Sequence, residues 1–205
     1  MTETLPSAGT VETAAAPRPE RFTRAELGWE PWLEPLAADD LTDAHWHGLV
    51  ERSRVNSDYF RLLVRDPGIL HARTKADFDI FHNRAGGLPR AERELAAAAT
   101  SRVNGCIFCA SVHARFAAHY AKAPADVQRL LDDGVDAPQS DRWRAVIAAA
   151  AAVTATPSAL TADHLRALAD TGLDLLGISD VLHSAAFFGW ANRLMLSLGE
   201  PFGDA

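Results

Sequence analysis

The chain has 205 residues and a formal net charge of −7 at pH 7, and 48% of its residues are hydrophobic. This length suits one well-buried domain. The acidic balance argues against a nucleic-acid partner, because affinity for phosphates depends on clustered Lys and Arg side chains. The first 20 residues lack the basic region and the continuous apolar region of a secretory signal, which predicts a cytoplasmic protein.

The N-terminal part of the chain divides into two segments. Residues 1–20 are rich in Ala, Thr, Pro and Glu and have almost no large apolar side chains. Because so little burial is available to offset the entropy of ordering them, we predict a flexible tail. Residues 21–40 contain aromatic and leucine side chains, but Pro31 and Pro35 interrupt any regular element. We predict that this segment is an arm that wraps over a single domain formed by residues 41–205.

The rest of the sequence shows helical patterns. Apolar residues recur at three- and four-residue intervals from Leu41 to Val64, where the Asp-Pro-Gly of residues 66–68 stops the pattern, and a helix is predicted from about Ile69 to Asn83. Later helical segments are AERELAAAATSRVNG, CIFCASVHARFAAHYAKA, ADVQRLLDDGV, DRWRAVIAAAAAV, TADHLRALADTG and ISDVLHSAAFFGWANRLMLSLG. No strongly alternating strand pattern stands out. The sequence therefore predicts an all-α bundle with short connections.

One uncharged stretch invites comparison with a membrane span. Residues 145–162 carry no charge, but they are mostly Ala, with several Thr and Ser and with Pro157. This composition lacks the dense apolar character of a transmembrane helix. We predict a buried, Ala-rich helix with a break, and no association with a membrane.

Both cysteines of the chain lie in the stretch NGCIFCASVH, residues 104–113. Positions i, i+3 and i+7 of a helix share one face, so Cys106, Cys109 and His113 are predicted to form one stripe. Residues three apart on a helix have Cβ atoms about 5 to 6 Å apart, from which a reversible disulfide is reachable. In a reducing compartment this spacing indicates a catalytic or metal-binding pair rather than a structural disulfide.

The surroundings of the pair suggest how its protons are handled. Cys106 follows a helix end at Asn104 and Gly105 and is predicted in a first turn, where the helix dipole favours a thiolate. On the residues alone, Cys106 is therefore the more acidic thiol. His113, one turn after Cys109, is placed to accept the thiol proton directly or through a water.

A histidine in this role needs a carboxylate to orient it and to balance its charge. Two candidates lie on the preceding helix, Glu92 and Glu94, and the residues alone do not choose between them. Glu92 is also explained as a solvated acid at a helix N-terminus, where the dipole favours it.

The segment ERELAAAATSRVNGCIFCASVH resembles the core of the alkyl hydroperoxidase D and carboxymuconolactone decarboxylase-like superfamily. Its redox members show a Glu, a Cys-x-x-Cys that begins twelve residues later, and a His four residues beyond the second Cys. Glu94, Cys106, Cys109 and His113 match this spacing, with the core at about residues 69–124. The segment HSAAFFGWANRLMLSLG is similar to the closing helix of the peroxidase-related branch. One departure is Phe108, where the best-known members carry a second His.

The resemblance implies an alkyl hydroperoxidase D-like helical bundle and a thiol peroxidase that uses no haem, metal or other cofactor. It implies that Cys109 attacks the hydroperoxide substrate and that Cys106 resolves the resulting sulfenic acid as a disulfide. Glu94 and His113 would relay the proton, and a dithiol or lipoyl-type electron donor would regenerate the thiols. It also implies a homo-oligomer, in keeping with the five Trp residues and the apolar closing helix.

Other interpretations stay open at this point. The cysteines are also compatible with two unreactive buried thiols. They are compatible as well with a non-catalytic sensor, which either reports redox state or binds zinc through Cys106, Cys109, His113 and a fourth ligand such as Glu94. A third alternative is a carboxymuconolactone decarboxylase-like accessory enzyme. Among the remaining histidines only His183, on the apolar closing helix, is placed to line a pocket.

Overall fold

The computed structural model describes residues 17–85 and 87–204, which are mainly helical. In chain order the helices are α1 (Asp43–Leu49), α2 (Asp58–Leu63), α3 (Pro67–His82), α4 (Arg90–Asn104), α5 (Ile107–Ala121), α6 (Pro124–Asp133), α7 (Asp141–Thr154), α8 (Ala162–Asp170) and α9 (Leu175–Leu198). Short 3-10 helices at Ala38–Asp40 and Arg52–Asn56 precede α1 and α2. The prediction of an all-α bundle is confirmed for the bulk of the described chain.

Two short strands join the N-terminal arm to the C-terminal end of α9. β1 (Gly28–Pro31) pairs antiparallel with β2 (Gly199–Phe202). The sequence analysis missed both strands, because each has only four residues and includes a proline, which hides the alternation of a strand. Gly199 fits there because a side chain at this position would collide with the carbonyl oxygen of Glu30 and with the ring of Trp29.

The segment before β1 also contacts the C-terminal end. The backbone N–H of Gly203 donates a hydrogen bond to the carbonyl of Pro17 at 2.9 Å, and Arg18 forms an ion pair with Glu200 of β2 at 3.2 Å. These contacts hold the arm against the helical domain. The predicted tail comprises residues 1–20, of which 1–16 lie outside the described residues, and the domain boundaries stay a prediction.

α4 is the central helix of the domain. Its residues from Leu95 to Ser101 are buried, and it packs against α5, α7 and α9. The four small side chains of Ala96–Ala99 let the neighbouring helices approach closely. α4 ends at Gly105, whose φ of +77° is left-handed and whose N–H bonds to the carbonyl of Ser101. Glycine adopts this conformation without strain, and the turn starts α5 beside the end of α4.

α7 is the predicted Ala-rich helix, and it ends at Thr154, shortly before Pro157. Val146, Ile147 and Ala149 on this helix are buried against the core. None of the helices in the described part of the chain combines the length and the apolar content of a membrane span.

Candidate active site

A cavity of about 840 Å³ contains residues of the predicted site in its wall. Cys109 and His113 of α5 and Glu94 of α4 line it. Much of the remaining wall is apolar and aromatic, and includes Trp29, Phe60, Phe81, Phe108, Phe188 and Met195. A cavity of this size and character suits a small organic molecule.

Glu94 and His113 form a buried pair across the α4–α5 contact. Nδ1 of His113 lies 2.6 Å from Oε2 of Glu94, whose side chain is only 1% exposed. The other carboxylate oxygen of Glu94 accepts a hydrogen bond from Nε of Arg90 at 3.0 Å. Since the carboxylate engages Nδ1, Nε2 is the ring nitrogen that remains for proton exchange. The structure thus brings together the Glu and the His that the sequence spacing predicted.

Glu92, the alternative carboxylate, has a different partner. Both of its oxygens accept hydrogen bonds from Arg142, at 2.6 and 2.8 Å, and the residue is only 7% exposed. The interpretation of Glu92 as a solvated helix-terminal acid is therefore wrong, because Arg142 of α7 reaches across it. The hydrogen bond to Glu92 also raises the pKa of Arg142. This pair ties α4 to α7 and lies apart from His113.

The imidazole of His113 is enclosed by two aromatic rings. The ring of Phe81 lies 5.2 Å away between centroids, and that of Phe188 lies 3.9 Å away in an edge-to-face arrangement. These contacts and the bond to Glu94 fix the ring orientation. The histidine is therefore held in one position in the cavity wall.

Both cysteines are free, buried thiols. Cys106 is the N-cap of α5, with extended backbone angles of φ −84° and ψ 90°, whereas Cys109 lies in the first turn. The prediction that Cys106 lies in the first turn is thus wrong by one residue. Because its backbone is not helical, Cys106 does not follow the helical spacing that relates Cys109 to His113. The two thiols are nevertheless close enough for a hydrogen bond between them to shift the pKa of both. A disulfide requires them to approach further, to about 2.05 Å between sulfurs.

This contact makes the two thiols unequal. The hydrogen bond from Cys109 lowers the pKa of Cys106, although burial opposes the effect. The pKa of Cys109 is raised well above its ordinary value by the hydrogen bond to Cys106 and by burial. Cys106 is therefore the more acidic thiol, as the residues alone predicted, and the pair favours one negative charge over two.

Asn192 of α9 is a site residue that the sequence analysis missed. Its buried side chain hydrogen-bonds both cysteines and lowers the pKa of each. The amide is held in place by Asn104, which donates to its Oδ1 at 3.0 Å, and by Ser101, which accepts from its Nδ2 at 3.1 Å. The only signal in the sequence is one amide side chain within a mostly apolar part of α9.

The two cysteines line different cavities. Cys109 lines the large cavity, whereas Cys106 lines a smaller one of about 180 Å³, together with Arg18 and Glu200. Phe108, which replaces the second His of the best-known members, lines both cavities. The two cysteines are three positions apart in the chain, yet each lines a separate cavity.

Two further sequence interpretations are not matched by the geometry. Among the residues that the structure describes, no three His, Cys, Asp or Glu side chains are arranged to hold a metal ion. The zinc ligand set of Cys106, Cys109, His113 and Glu94 is thus not assembled here. His183 is exposed and lines neither of the two cavities, so the prediction that it lines a pocket is wrong.

Residues 67–152 match the model of the carboxymuconolactone decarboxylase family. The comparison with curated proteins gave no match. Among solved structures, an alkylhydroperoxidase AhpD core, a peroxidase-related protein from Ralstonia eutropha, is 23% identical with a TM-score of 0.69, covering 88% of this chain and 94% of that one. A peroxidase-related protein from a Silicibacter species is 22% identical with a TM-score of 0.68, covering 85% and 93%.

The debrominase Bmp8 has the same fold. It is 18% identical to this chain, with a TM-score of 0.63, and the alignment covers 80% of this chain and 88% of the debrominase. A cysteine-to-alanine variant of that enzyme was solved in complex with 2,3,4-tribromopyrrole. At these identities the structural likeness establishes the fold.

Proposed function

Because residues 67–152 match the carboxymuconolactone decarboxylase family and the fold is that of an alkylhydroperoxidase AhpD core, we propose that the chain is a member of this superfamily and a thiol-dependent peroxidase that reduces organic hydroperoxides. One observation carries the proposal. Cys109 lines a large cavity beside the buried Glu94–His113 pair, and its thiol hydrogen-bonds Cys106. A nucleophile, a proton acceptor and a resolving thiol are the groups that peroxide reduction by cysteine requires.

The first step is attack by Cys109. In the reactive state His113 holds one proton of the dithiol, and the second proton moves along the sulfur–sulfur hydrogen bond onto Cys106. The Cys109 thiolate then attacks the terminal oxygen of the hydroperoxide, and the O–O bond breaks. Cys109 becomes a sulfenic acid, and the leaving alkoxide takes the proton from His113 to give the alcohol.

The second step closes the disulfide. Cys106 gives its proton to His113, and its thiolate attacks the sulfur of the Cys109 sulfenic acid. The S–S bond forms as the S–O bond breaks, and the departing hydroxide takes the proton from His113 to give water. A dithiol donor then reduces the disulfide, and the smaller cavity beside Cys106 offers the donor a route away from the substrate.

Glu94 and Arg90 support the histidine. Glu94 balances the positive charge that His113 carries between the steps, and Arg90 holds the carboxylate from its other side at 3.0 Å. The residues of the proton relay therefore all come from α4 and α5, whereas Asn192 of α9 lowers the pKa of the thiols.

The test is turnover of cumene hydroperoxide with dihydrolipoamide as the donor, followed by mass spectrometry. We expect steady turnover, and a single Cys106–Cys109 disulfide with loss of two hydrogens after brief oxidation. Cys106→Ser should accumulate a sulfenic acid on Cys109 that dimedone traps, and Cys109→Ser should be inactive. Turnover by Cys109→Ser would overturn the proposal.

The same experiment separates the alternatives. One stoichiometric oxidation without turnover would identify a redox sensor, and an activity that survives loss of both cysteines would identify a carboxymuconolactone decarboxylase-like accessory enzyme. A second candidate reaction for the same thiols is reductive dehalogenation, favoured by the aromatic cavity wall and by the fold shared with the debrominase. Halide release from 2,3,4-tribromopyrrole with the dithiol donor would identify it.

A further inference from the structure

The large cavity contains a group of charged side chains that the proposed peroxidase chemistry does not use. Arg54, from the 3-10 helix before α2, and Arg73, from α3, both line it. They share one acceptor, because Nη1 of Arg73 lies 3.1 Å and Nη2 of Arg54 lies 3.6 Å from the same oxygen, Oδ2 of Asp77. Two guanidinium groups thus meet at a single carboxylate oxygen, and the charge of Asp77 balances only one of them.

Several donors of this group make no hydrogen bond within the described part of the protein. Nε and Nη1 of Arg54, Nε of Arg73 and the hydroxyl of Tyr59 are buried without a hydrogen bond. The side chains of Arg54 and Arg73 are only 11% and 9% exposed. Buried polar groups are normally satisfied, so several unsatisfied donors in one cavity wall indicate a place for an acceptor.

Aromatic rings hold the two arginines in position. The guanidinium of Arg54 lies over the ring of Phe60 at 4.3 Å and over that of Phe78 at 5.1 Å. The guanidinium of Arg73 lies over the rings of Phe60 and Phe187, at 5.6 and 5.2 Å. These contacts fix the planar groups before any ligand binds, and such preorganisation strengthens binding.

The other charged groups of the cavity are already engaged or lie at its rim. Glu94 is bound by Arg90 and His113, Asp58 is paired with Arg61, and Glu51 is mostly exposed, 3.7 Å from Nε of Arg54. Glu26 is exposed almost completely. Away from the rim, the two arginines of this wall thus share a single carboxylate, that of Asp77.

Arg73 of the pair acts on the reacting thiol. The pKa of Cys109 is raised chiefly by its hydrogen bond to Cys106 and by burial, and the charge of Arg73 opposes this rise. Arg73 is therefore within electrostatic reach of the sulfur. The arginines, the aromatic residues and Cys109 line the same cavity, so a molecule that fills it can contact all of them.

We propose that Arg54, Arg73 and Tyr59 form a subsite for the carboxylate of the substrate, so that the preferred substrates are hydroperoxides of apolar or aromatic carboxylic acids. This inference rests on the proposed peroxidase function for the reaction itself, but the binding it describes does not depend on turnover. Guanidinium groups match a carboxylate in shape and charge, and the apolar wall matches the body of such a molecule.

The test compares para-carboxy cumene hydroperoxide with its methyl ester, in which the carboxylate charge is replaced by a neutral ester with one additional methyl group. We expect kcat/KM for the acid to exceed that for the ester by about 10- to 100-fold. Arg54→Gln and Arg73→Gln should remove this preference while the ester is still turned over. Arg54→Lys keeps the charge but loses the planar fork, and should retain part of the preference. Arg166→Gln, an exposed arginine on α8, is the control.

Binding is measured separately in the Cys109→Ser protein, where no chemistry occurs. Calorimetry with the alcohol product of the acid and with that of the ester should show the same preference, and Arg54→Gln in this background should abolish it. Equal binding of acid and ester would overturn the subsite. Preferential binding of the acid by a protein that turns over neither hydroperoxide would overturn the peroxidase function and support the subsite. Thermal unfolding confirms that each variant is folded.

Discussion

Oε2 of Glu94 lies 2.6 Å from Nδ1 of His113, although 19 positions separate the two residues along the chain. The contact exists because Gly105 turns the chain between α4 and α5, so that the two helices run side by side. The contact places the buried carboxylate of Glu94 against Nδ1 of the imidazole. Nε2, the other ring nitrogen, remains available for proton exchange in the cavity. The helix pair therefore supplies a polarised base beside the cysteines.

Glu94→Gln should reduce turnover without unfolding the protein. Glutamine keeps the size and hydrogen bonding of the side chain but cannot balance a charged His113, so we expect peroxidase kcat/KM to fall by about 10- to 1000-fold. The measurement is steady-state kinetics with cumene hydroperoxide. The prediction fails if the variant turns over at the parental rate.

Glu92→Gln is the matched control, since it also removes a buried carboxylate of α4. This variant breaks the pair with Arg142, and we expect a loss of about 1 to 3 kcal/mol in the free energy of unfolding. Its turnover should stay near the parental rate because Glu92 does not contact His113. Equal loss of activity in both variants would show that the two residues act only through stability.

The cysteine pair should lose one proton easily and the second only with difficulty. The hydrogen bond from Cys109 lowers the pKa of Cys106, and the same bond raises that of Cys109. Ultraviolet absorbance should therefore show one thiolate per chain over a wide pH range, which begins below the ordinary pKa of a thiol and extends into alkaline solution. In Cys109→Ala the donor is gone, and Cys106 should titrate at higher pH. Two thiols that titrate together near the ordinary value would contradict this.

Stability should follow pH with the matching signs. The lowered pKa of Cys106 adds stability above the unfolded-state thiol pKa, and this stability is lost as the pH falls through the folded-state value. The raised pKa of Cys109 has the opposite effect, since its contribution is complete below the unfolded-state pKa and is lost as the pH rises through the folded-state value. Urea unfolding of the parent and of Cys109→Ala between neutral and alkaline pH measures both effects.

Asn192→Leu should slow the reaction of both thiols. The substitution keeps the approximate size but removes the hydrogen bonds that lower the pKa of Cys106 and Cys109. We expect alkylation by iodoacetamide at neutral pH to slow by about tenfold, with a stability loss of about 1 to 3 kcal/mol from the unpaired neighbours. Asn104→Ala removes only a bond that positions Asn192, so it should slow alkylation less than Asn192→Leu does. Equal alkylation rates in the parent and in Asn192→Leu would remove Asn192 from the site.

The predicted homo-oligomer has a testable surface. Leu175, Leu176 and Trp190 of α9 are exposed and lie within about 100° of one another around the helix. Light scattering at micromolar concentration should give a multiple of the chain mass of 22.1 kDa, and Trp190→Glu should shift the mass toward the single chain. Val103→Glu, an exposed apolar position on α4, is the control. A mass of one chain for the parent protein would refute the prediction.

The parts of the site that the sequence predicted are those encoded locally. Glu94, Cys106, Cys109 and His113 fall within two consecutive helices, where helical spacing and the glycine turn determine their neighbours. Asn192 comes from α9 and was not predicted, because its position depends on how α9 packs on α4. Glu92 was misread for the same reason, since the partner that buries it belongs to α7.

The arginine pair and the sheet show the same limit. Arg54 and Arg73 reach the cavity from two separate elements, and no spacing in the sequence connects them to Cys109. The strands were missed because their pairing joins Gly28–Pro31 to Gly199–Phe202, so that each stabilises the other only after the helical domain has formed. Family resemblance and periodicity thus predicted the helical bundle and the Glu/Cys/His group, whereas contacts between distant segments had to come from the structure.

The placement of Cys109 and Cys106 on separate cavities has a kinetic consequence. If oxidant and reductant arrive through different openings, neither occupies the other's entrance, and the catalytic cycle follows a two-site ping-pong scheme. Double-reciprocal plots would then be parallel, without the mutual substrate inhibition that a shared entrance produces at high concentrations. At saturating peroxide the steady-state rate would depend only on the concentration and identity of the donor. The size and lining of the cavity of about 180 Å³ beside Arg18 and Glu200 would determine which dithiols can act as donors.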